Sequence, residues 1–342
     1  MRVHLRTAAV VLLAVVMVAW FLRGADLGAV SAAIQDGRVE MLALAVGVTC
    51  LTYFFRAVRW QYLLRPLGRP AFSDVFKTTV IGFAVSTLVP ARAGEVVRPY
   101  LLARRSGFSA ASAFATIILE RLLDLLTVLV LFGFYLLFFN PVAAEGHAST
   151  FRALKSGGLI AAAGGVVGLG VMMVLAGHPD TLARWALKVE RVVPARVAAL
   201  VAKLVRTFLQ GLAIVRQPGR MAVAGLLSFP LWLSIAGGIW LGARAYAIDM
   251  SFPASFLLMA LLVVGVAVPT PGSVGGYHKA YQIGTVAFFG VANDRAVAAA
   301  VVAHAISIVP VTVAGVIFLA QEGLSLGRLR ALAAPGHAED AP

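Results

Sequence analysis

The chain has 342 residues, 61% of them hydrophobic and 13% charged. A soluble domain carries roughly 45–50% apolar and about 25% charged residues, so this composition excludes a soluble enzyme and points to an integral membrane protein. The net charge of +14 reads as basic loops at an anionic lipid surface; no RNA- or DNA-binding motif accompanies it, so nucleic acid is not expected as a partner.

A helix crossing a hydrocarbon core of roughly 30 Å needs about 20 apolar residues. Six spans of this kind are predicted in chain order, over about 7–22, 39–56, 118–139, 157–176, 221–246 and 296–320. No ladder of short alternating strands appears, so the fold class is an all-α polytopic membrane protein and not an outer-membrane barrel. The first span follows Arg2 and Arg6 in the manner of a signal peptide. A second apolar segment follows quickly and no small-x-small site closes the run, so the span is expected to remain uncleaved. The single Cys50 lies in an apolar stretch, which excludes an intrachain disulfide and a CxxC metal site.

Two more apolar segments, about 75–103 and 254–290, are interrupted by Pro and Gly. The first reads FKTTVIGFAVSTLVPARAGEVVRPYLLARR and the second, from Phe256, FLLMALLVVGVAVPTPGSVGGYHKAYQIG. The Lys/Arg bias sets orientation. Arg2 and Arg6 place the N-terminus inside; 23–38, with only Arg23 and Arg38, falls outside. Arg56, Arg59, Arg65, Arg69 and Lys77 return the chain to the cytoplasm, 140–150 without Lys or Arg is outside, and the basic 177–220 stretch is inside. That stretch is expected to hold an amphipathic helix over Ala195–Leu212, lying at the membrane interface. Arg328 and Arg330 put the C-terminus inside, in the cell membrane, with 331–342 a disordered tail. Every loop agrees only if both interrupted segments are re-entrant or both are paired half-helices.

Each half then contains two spans, an interrupted hairpin and one span, and three crossings per half invert the second half relative to the first. Trp60 stands twelve residues before Phe72 and Trp240 twelve before Phe252; Pro90 and Pro269 follow those phenylalanines by 18 and 17 residues. The expected architecture is one flippase-like domain over 1–330 built from inverted halves, about 1–140 and 151–325. Irregular backbone survives at membrane depth only where protein or water supplies hydrogen-bond partners. The tips at Pro90–Glu95 and Pro269–Tyr277 are therefore expected to enter from opposite faces, meet near the middle and form the site.

Three constellations carry candidate chemistry. Arg92, Glu95 and Arg98 sit in the first interruption; Glu95 and Arg98 are spaced to pair along a helix, leaving Arg92 to bind an anion through its planar fork. Glu120 and Asp124 lie at i and i+4, on one helical face, with Arg121 beside them to meet a charge of the first hairpin. PTPGSVGGYHK, residues 269–279, breaks a helix with two prolines and three glycines, adds His278 and Lys279, and presents amides to an anion where the helix restarts. His304, in the last span, is a satisfied interior histidine or a proton relay. No nucleotide-binding loop, metal-ligand spacing or cofactor motif is present, and none is expected.

RAVRWQYLL from Arg56, LVPARAGEVVRPYLL and LERLLDLL, with the later PTPGSVGGYHK, together resemble the lysylphosphatidylglycerol synthase transmembrane family over nearly the whole chain. The resemblance implies an all-helical flippase-like domain that moves lipid between leaflets. Gly94, Glu95 and Arg98 match its GE-x-x-R element, Glu120, Arg121 and Asp124 its ER-x-x-D element, and Pro271, Gly272 and Gly275 its second Pro-Gly turn. Many members carry a glutamate shortly after that turn, where this chain has His278; the departure implies a different head group or a pH-sensitive site. The full synthases append an aminoacyl-transferase domain, whereas about 20 residues follow the last predicted span here, so synthase activity is not expected.

The reading that follows is a transporter of an anionic or modified phospholipid or a polyprenyl-phosphate-type lipid. Arg92 and Arg98 would hold phosphate, while Glu95, Glu120 and Asp124 orient them or read a cationic group; membrane lipids, and a lipid-modifying enzyme, are the expected partners. The alternative is an accessory subunit or membrane enzyme of lipid or glycan transfer. A purely structural role would leave the buried charges unexplained.

Overall fold

The computed structural model describes residues 12, 15–89, 92–139, 148–178, 195–268 and 270–322, and these are helical without strands. In chain order the helices are α1 (Val15–Leu22), α2 (Leu27–Gln35), α3 (Val39–Leu63), α4 (Phe72–Leu88), α5 (Gly94–Ser106), α6 (Ala110–Phe139), α7 (Ala148–Gly177), α8 (Ala195–Gly211), α9 (Pro218–Ala245), α10 (Ser255–Ala267), α11 (Gly276–Phe289) and α12 (Asn293–Gln321). Five of them, α3, α6, α7, α9 and α12, are long and apolar enough to cross a membrane, and α1 with α2 makes a sixth candidate span bent by 85°. The expected tail at 331–342, with Pro90 and Pro269, lies outside the described residues.

Two expectations change. The stretch 23–38, placed outside as a loop, contains helix α2 over Leu27–Gln35, capped by Asp26, whose carboxylate accepts from the amides of Gly28 at 2.8 Å and Ala29 at 3.2 Å. The second span does not stop at residue 56 but runs on to Leu63, which carries Arg56 and Arg59 into the protein instead of into a loop. The amphipathic helix expected over Ala195–Leu212 is α8; it packs on α6, where Ser112 Oγ donates to Thr207 O at 2.5 Å.

Both interrupted segments fold as antiparallel hairpins. At 17, 13, 13 and 14 residues, α4, α5, α10 and α11 each fall short of the roughly 20 residues a full crossing needs. Asp74, at the start of α4, accepts from Arg105 near the end of α5 at 3.1 Å, so the first hairpin returns to the side it entered. Gly82 faces Gly94 where these arms cross, and Gly265 faces Gly276 where α10 crosses α11. At both crossings a Cβ on either glycine would press into the opposite backbone; the absence of side chains is what lets the arms close.

Helix α12 links the two hairpins. Its first residue, Asn293, accepts from Gln282 of α11 at 2.6 Å, and Glu322 just beyond its end pairs with Arg105 of α5. The hairpins therefore enter from opposite ends of α12, and their tips touch. Arg92 Nη2 donates to Val266 O at 2.6 Å, and Gly272 lies against Thr87.

The glycine crossing makes a prediction. Gly94→Ala drives a methyl into the carbonyl of Gly82 and the hydroxyl of Ser86, and overpacking of this kind costs about 1–3 kcal/mol. Gly133→Ala adds a methyl that meets nothing and gains about 0.5–1 kcal/mol of helix stability. Thermal unfolding in detergent micelles should lower Tm for the first and leave it equal or higher for the second.

Candidate functional site

The site is organised by one face of α6. Its sequence LERLLDLL places Glu120 and Asp124 one turn apart on the same face, and both are buried. Glu120 is ten residues after Ala110 in a 30-residue helix, about 15 Å along its axis, and Asp124, one turn on, sits at the middle of the span.

Three helices bring guanidinium groups to these carboxylates. From α3, Arg59 reaches Asp124 Oδ1 at 2.7 Å and lies 3.6 Å from Glu120 Oε1. It also donates to Ser228 Oγ of α9 at 2.9 Å. From α5, Arg98 donates to Glu120 Oε1 at 3.0 Å. From α6 itself, Arg121 donates to the same oxygen at 2.9 Å and stands 3.4 Å from Asp124 Oδ2, while Arg56 lies 3.9 Å from that oxygen. Trp232 Nε1 completes Asp124 with a 2.9 Å hydrogen bond. Arg98 stacks over the ring of Trp60 at 3.8 Å, and Arg56 over Phe83 at 4.7 Å, each a favourable cation–π geometry.

Four guanidinium groups thus share two carboxylates. Desolvating each ion costs several kcal/mol, repaid only by close geometry and satisfied hydrogen bonds. That repayment is incomplete: Arg98 Nε and Nη2, Arg56 Nη1 and Arg121 Nε are enclosed yet make no hydrogen bond. Buried polar atoms left without partners are costly, and Glu120 Oε2 and Asp124 Oδ2 are in the same position, so the cluster is imperfectly satisfied on both sides.

These groups border a cavity of about 500 Å³, within the range of small-molecule sites, roughly 300–1,000 Å³. Arg56, Arg92, Arg98 and Arg121 line it together with Glu95 and Asp124. The remaining wall includes apolar residues such as Val128, Ile235, Met259 and Val263. Both hairpins contribute, the second through Gly272, Ser273 and Tyr277, and α12 adds His304.

Of the residues singled out in the sequence, Arg92, Gly94, Glu95, Arg98, Arg121, Asp124, Gly272 and His304 meet at this cavity, and Glu120 anchors the charges just behind it. Three expectations are corrected. Arg98 does not pair with its helix neighbour Glu95; it turns to Glu120, where burial makes an ion pair stronger than at the partly exposed Glu95. Lys279 faces away, over the ring of Trp20 at 4.7 Å and bonded to Gln282 Oε1 at 2.8 Å. Pro271, Gly275 and His278 shape the second tip from behind the cavity wall.

Arg56 and Arg59 were missed, having been counted as cytoplasmic loop charges. Their spacing at i and i+3, directly after an apolar run and beside Trp60, was the available signal that both share one buried helical face.

Over residues 7–315 the sequence matches the family model described as the lysylphosphatidylglycerol synthase TM region. The chain belongs to this family. It is 28% identical over 313 residues to the glycosyltransferase AglD of Haloferax volcanii, an alignment covering 85% of this chain and 50% of that protein. A shorter match, 28% over 88 residues, to a UPF0104 membrane protein of Methanocaldococcus jannaschii covers 25% of this chain and 26% of that protein. The chain spans about half the length of the first relative and about a quarter of the second. As a member of this family it is an integral membrane protein with several apolar spans.

The arginines divide into two kinds, and stability separates them. Arg59 is wholly enclosed and does not reach the cavity, so Arg59→Met leaves two buried carboxylates short of a partner; breaking a buried pair costs about 3–5 kcal/mol. Arg92 is exposed and holds a single tip contact, so Arg92→Ala costs within about 1 kcal/mol. Thermal unfolding in detergent should show a large fall in Tm for the first and a small one for the second; equal effects would sink the division.

Proposed function

We propose that the protein moves an anionic lipid, a phospholipid or a polyprenyl-phosphate-type lipid, between the leaflets of the cell membrane. One observation carries the reading: guanidinium groups outnumber carboxylates in a cavity formed where two broken hairpins meet, and several of their nitrogens lack acceptors. A phosphate supplies acceptor oxygens, two of which a guanidinium fork can take bidentately. Arg92, Arg98 and Arg121 hold the head group, Glu95 and Asp124 orient them, and the apolar wall accepts the first part of the tails. The two halves, as inverted copies, rock about the tips to change access, with both termini on the cytoplasmic side.

A second reading is favoured by the relative named a glycosyltransferase: this domain presents a lipid-linked substrate to a transferase as an accessory subunit, or takes part in lipid or glycan transfer itself. The two readings separate in a purified system.

Proteoliposomes carrying fluorescent anionic or zwitterionic lipids should show passage of the anionic lipid with wild-type protein. Arg121→Gln and Arg92→Ala each remove a charge-assisted contact of about 1.5–3 kcal/mol, which corresponds to about a tenfold or greater loss of rate. Glu95→Gln should alter head-group preference more than rate. A well-folded protein that moves none of these lipids would turn the assignment to the accessory or transferase reading.

A further inference from the structure

Two histidines lock the tip of the second hairpin, and their hydrogen bonds fix where the protons are. His278 Nδ1 accepts the amide of Gly275 at 3.1 Å, so that nitrogen presents a lone pair and carries no proton. His304 Nε2 lies 2.8 Å from Gly272 O; a carbonyl only accepts, so this nitrogen must be the protonated one. The two ring centroids are 4.4 Å apart, and both rings are buried. Gly272 lines the cavity, while Met17 of α1 fills the space that a Cβ on Gly275, at φ +85°, would take. His304 therefore ties the cavity wall to α12, and His278 fixes the turn that packs on α1.

Among the described residues the surroundings supply no carboxylate in ion-pair contact with either histidine. Phe21 of α1 lies 5.0 Å from the His278 ring and Tyr277 of α11 lies 4.9 Å from the His304 ring. Tyr281 stacks beyond Tyr277, and Lys279 turns away to Trp20 and Gln282. From α3, Tyr53 donates to Ser307 O at 3.5 Å, and from the first hairpin Arg92 donates to Val266 O.

We propose that the His278–His304 pair is a proton-binding site that unlocks the second hairpin tip, so that access to the cavity follows proton uptake. A proton on His278 Nδ1 turns an acceptor into a donor aimed at the donor of Gly275, and orphans that amide. The new cation would also stand in the first turn of α11, where the helix end is positive, and beside the His304 ring. The closed tip cannot put that proton on His278 Nδ1 without losing the Gly275 bond, and a second proton on the His304 ring would be buried beside it with no carboxylate in ion-pair contact; a released tip, with its rings in water, can bind it. Acid therefore favours release, because the released form binds the extra proton. A solvated histidine titrates near about pH 6.5, and linkage of one proton raises the released fraction by up to about tenfold per pH unit below that. Coupling of release to lipid passage rests on the transport reading above; the switch itself does not.

The test uses the full chain in proteoliposomes, with Cys50→Ser and with Ser273→Cys as a reporter on the cavity wall. Labelling by a membrane-impermeant maleimide is compared at each pH with the same protein carrying His278→Asn. Asparagine keeps an acceptor oxygen near the place of Nδ1 but cannot gain a proton there, and the ratio of the two rates cancels the titration of the thiol. The ratio should rise about fivefold between about pH 6.5 and 5.5. His304→Gln keeps the N–H donated to Gly272 and should retain a rise. A ratio that stays flat overturns the proposal. Should the reporter cysteine disturb folding, amide hydrogen exchange over residues 275–279 in the otherwise unmodified chain gives the same comparison: faster exchange in acid, after correction for intrinsic rates, with His278 and not with Asn. Fluorescent-lipid passage is followed in the same vesicles. Lipid movement with a flat ratio removes the switch and keeps transport; a rising ratio without lipid movement keeps the switch and removes transport.

Discussion

The carboxylate pair on α6 is the contact on which the rest of the site depends. Glu120 and Asp124 are buried, and each unpaired would cost several kcal/mol. Arg59, Arg98 and Arg121 answer that demand from α3, α5 and α6, so one pair of acids fixes how a full span, a hairpin arm and the central span sit together. The geometry also explains why the first hairpin can be short. Arg98 anchors α5 through Glu120 and Trp60, and Arg105 ties its base to Asp74 and Glu322. A helix of thirteen residues held at two points needs no further length to stay in register.

The excess of guanidinium follows from the same arrangement. Two buried carboxylates are matched in number by Arg59 and Arg98. Arg121, paired with both carboxylates, and Arg56, 3.9 Å from Asp124, bring the guanidinium count to four, and both line the cavity. Their cost is offset in part by Phe83 beneath Arg56 and by partial exposure of Arg121. Guanidinium groups in excess of carboxylates, where two broken helices meet, are what the proposed anion site rests on.

Much of this was legible in the sequence, for identifiable reasons. Long apolar runs made the spans plain, and the proline–glycine interruptions after Leu88 and after Val268 marked both hairpins, because nothing else breaks an apolar helix so abruptly. Glu120 and Asp124 were found through their i, i+4 spacing. What stayed hidden depended on contacts between distant segments. Glu95 and Arg98 are an ordinary helical pair on paper, and only the approach of α6 shows that Glu120, buried and nearer, takes the arginine. Arg56 and Arg59 were hidden by the rule that basic residues mark loops, which fails when a helix continues past its apolar run into a polar interior. Lys279 follows the breaking glycines in sequence, yet helical rotation at Gly276 turns it to the opposite side from Tyr277.

The two hairpins are closed by different chemistry, and the proposed binding and switching roles follow that difference. The first is held by permanent charges: arginines stay ionised throughout the physiological range, so its tip is an invariant cationic wall. The second is held by neutral hydrogen bonds, Gly275 to His278 and His304 to Gly272, around the side chain whose charge changes nearest to neutrality. Both cross at a glycine pair and both reach the same cavity, so the scaffold does not distinguish them. A binding surface must keep its charge while a gate must be able to lose its contacts. Fixed cations on one tip and histidines on the other meet those two requirements within a single cavity.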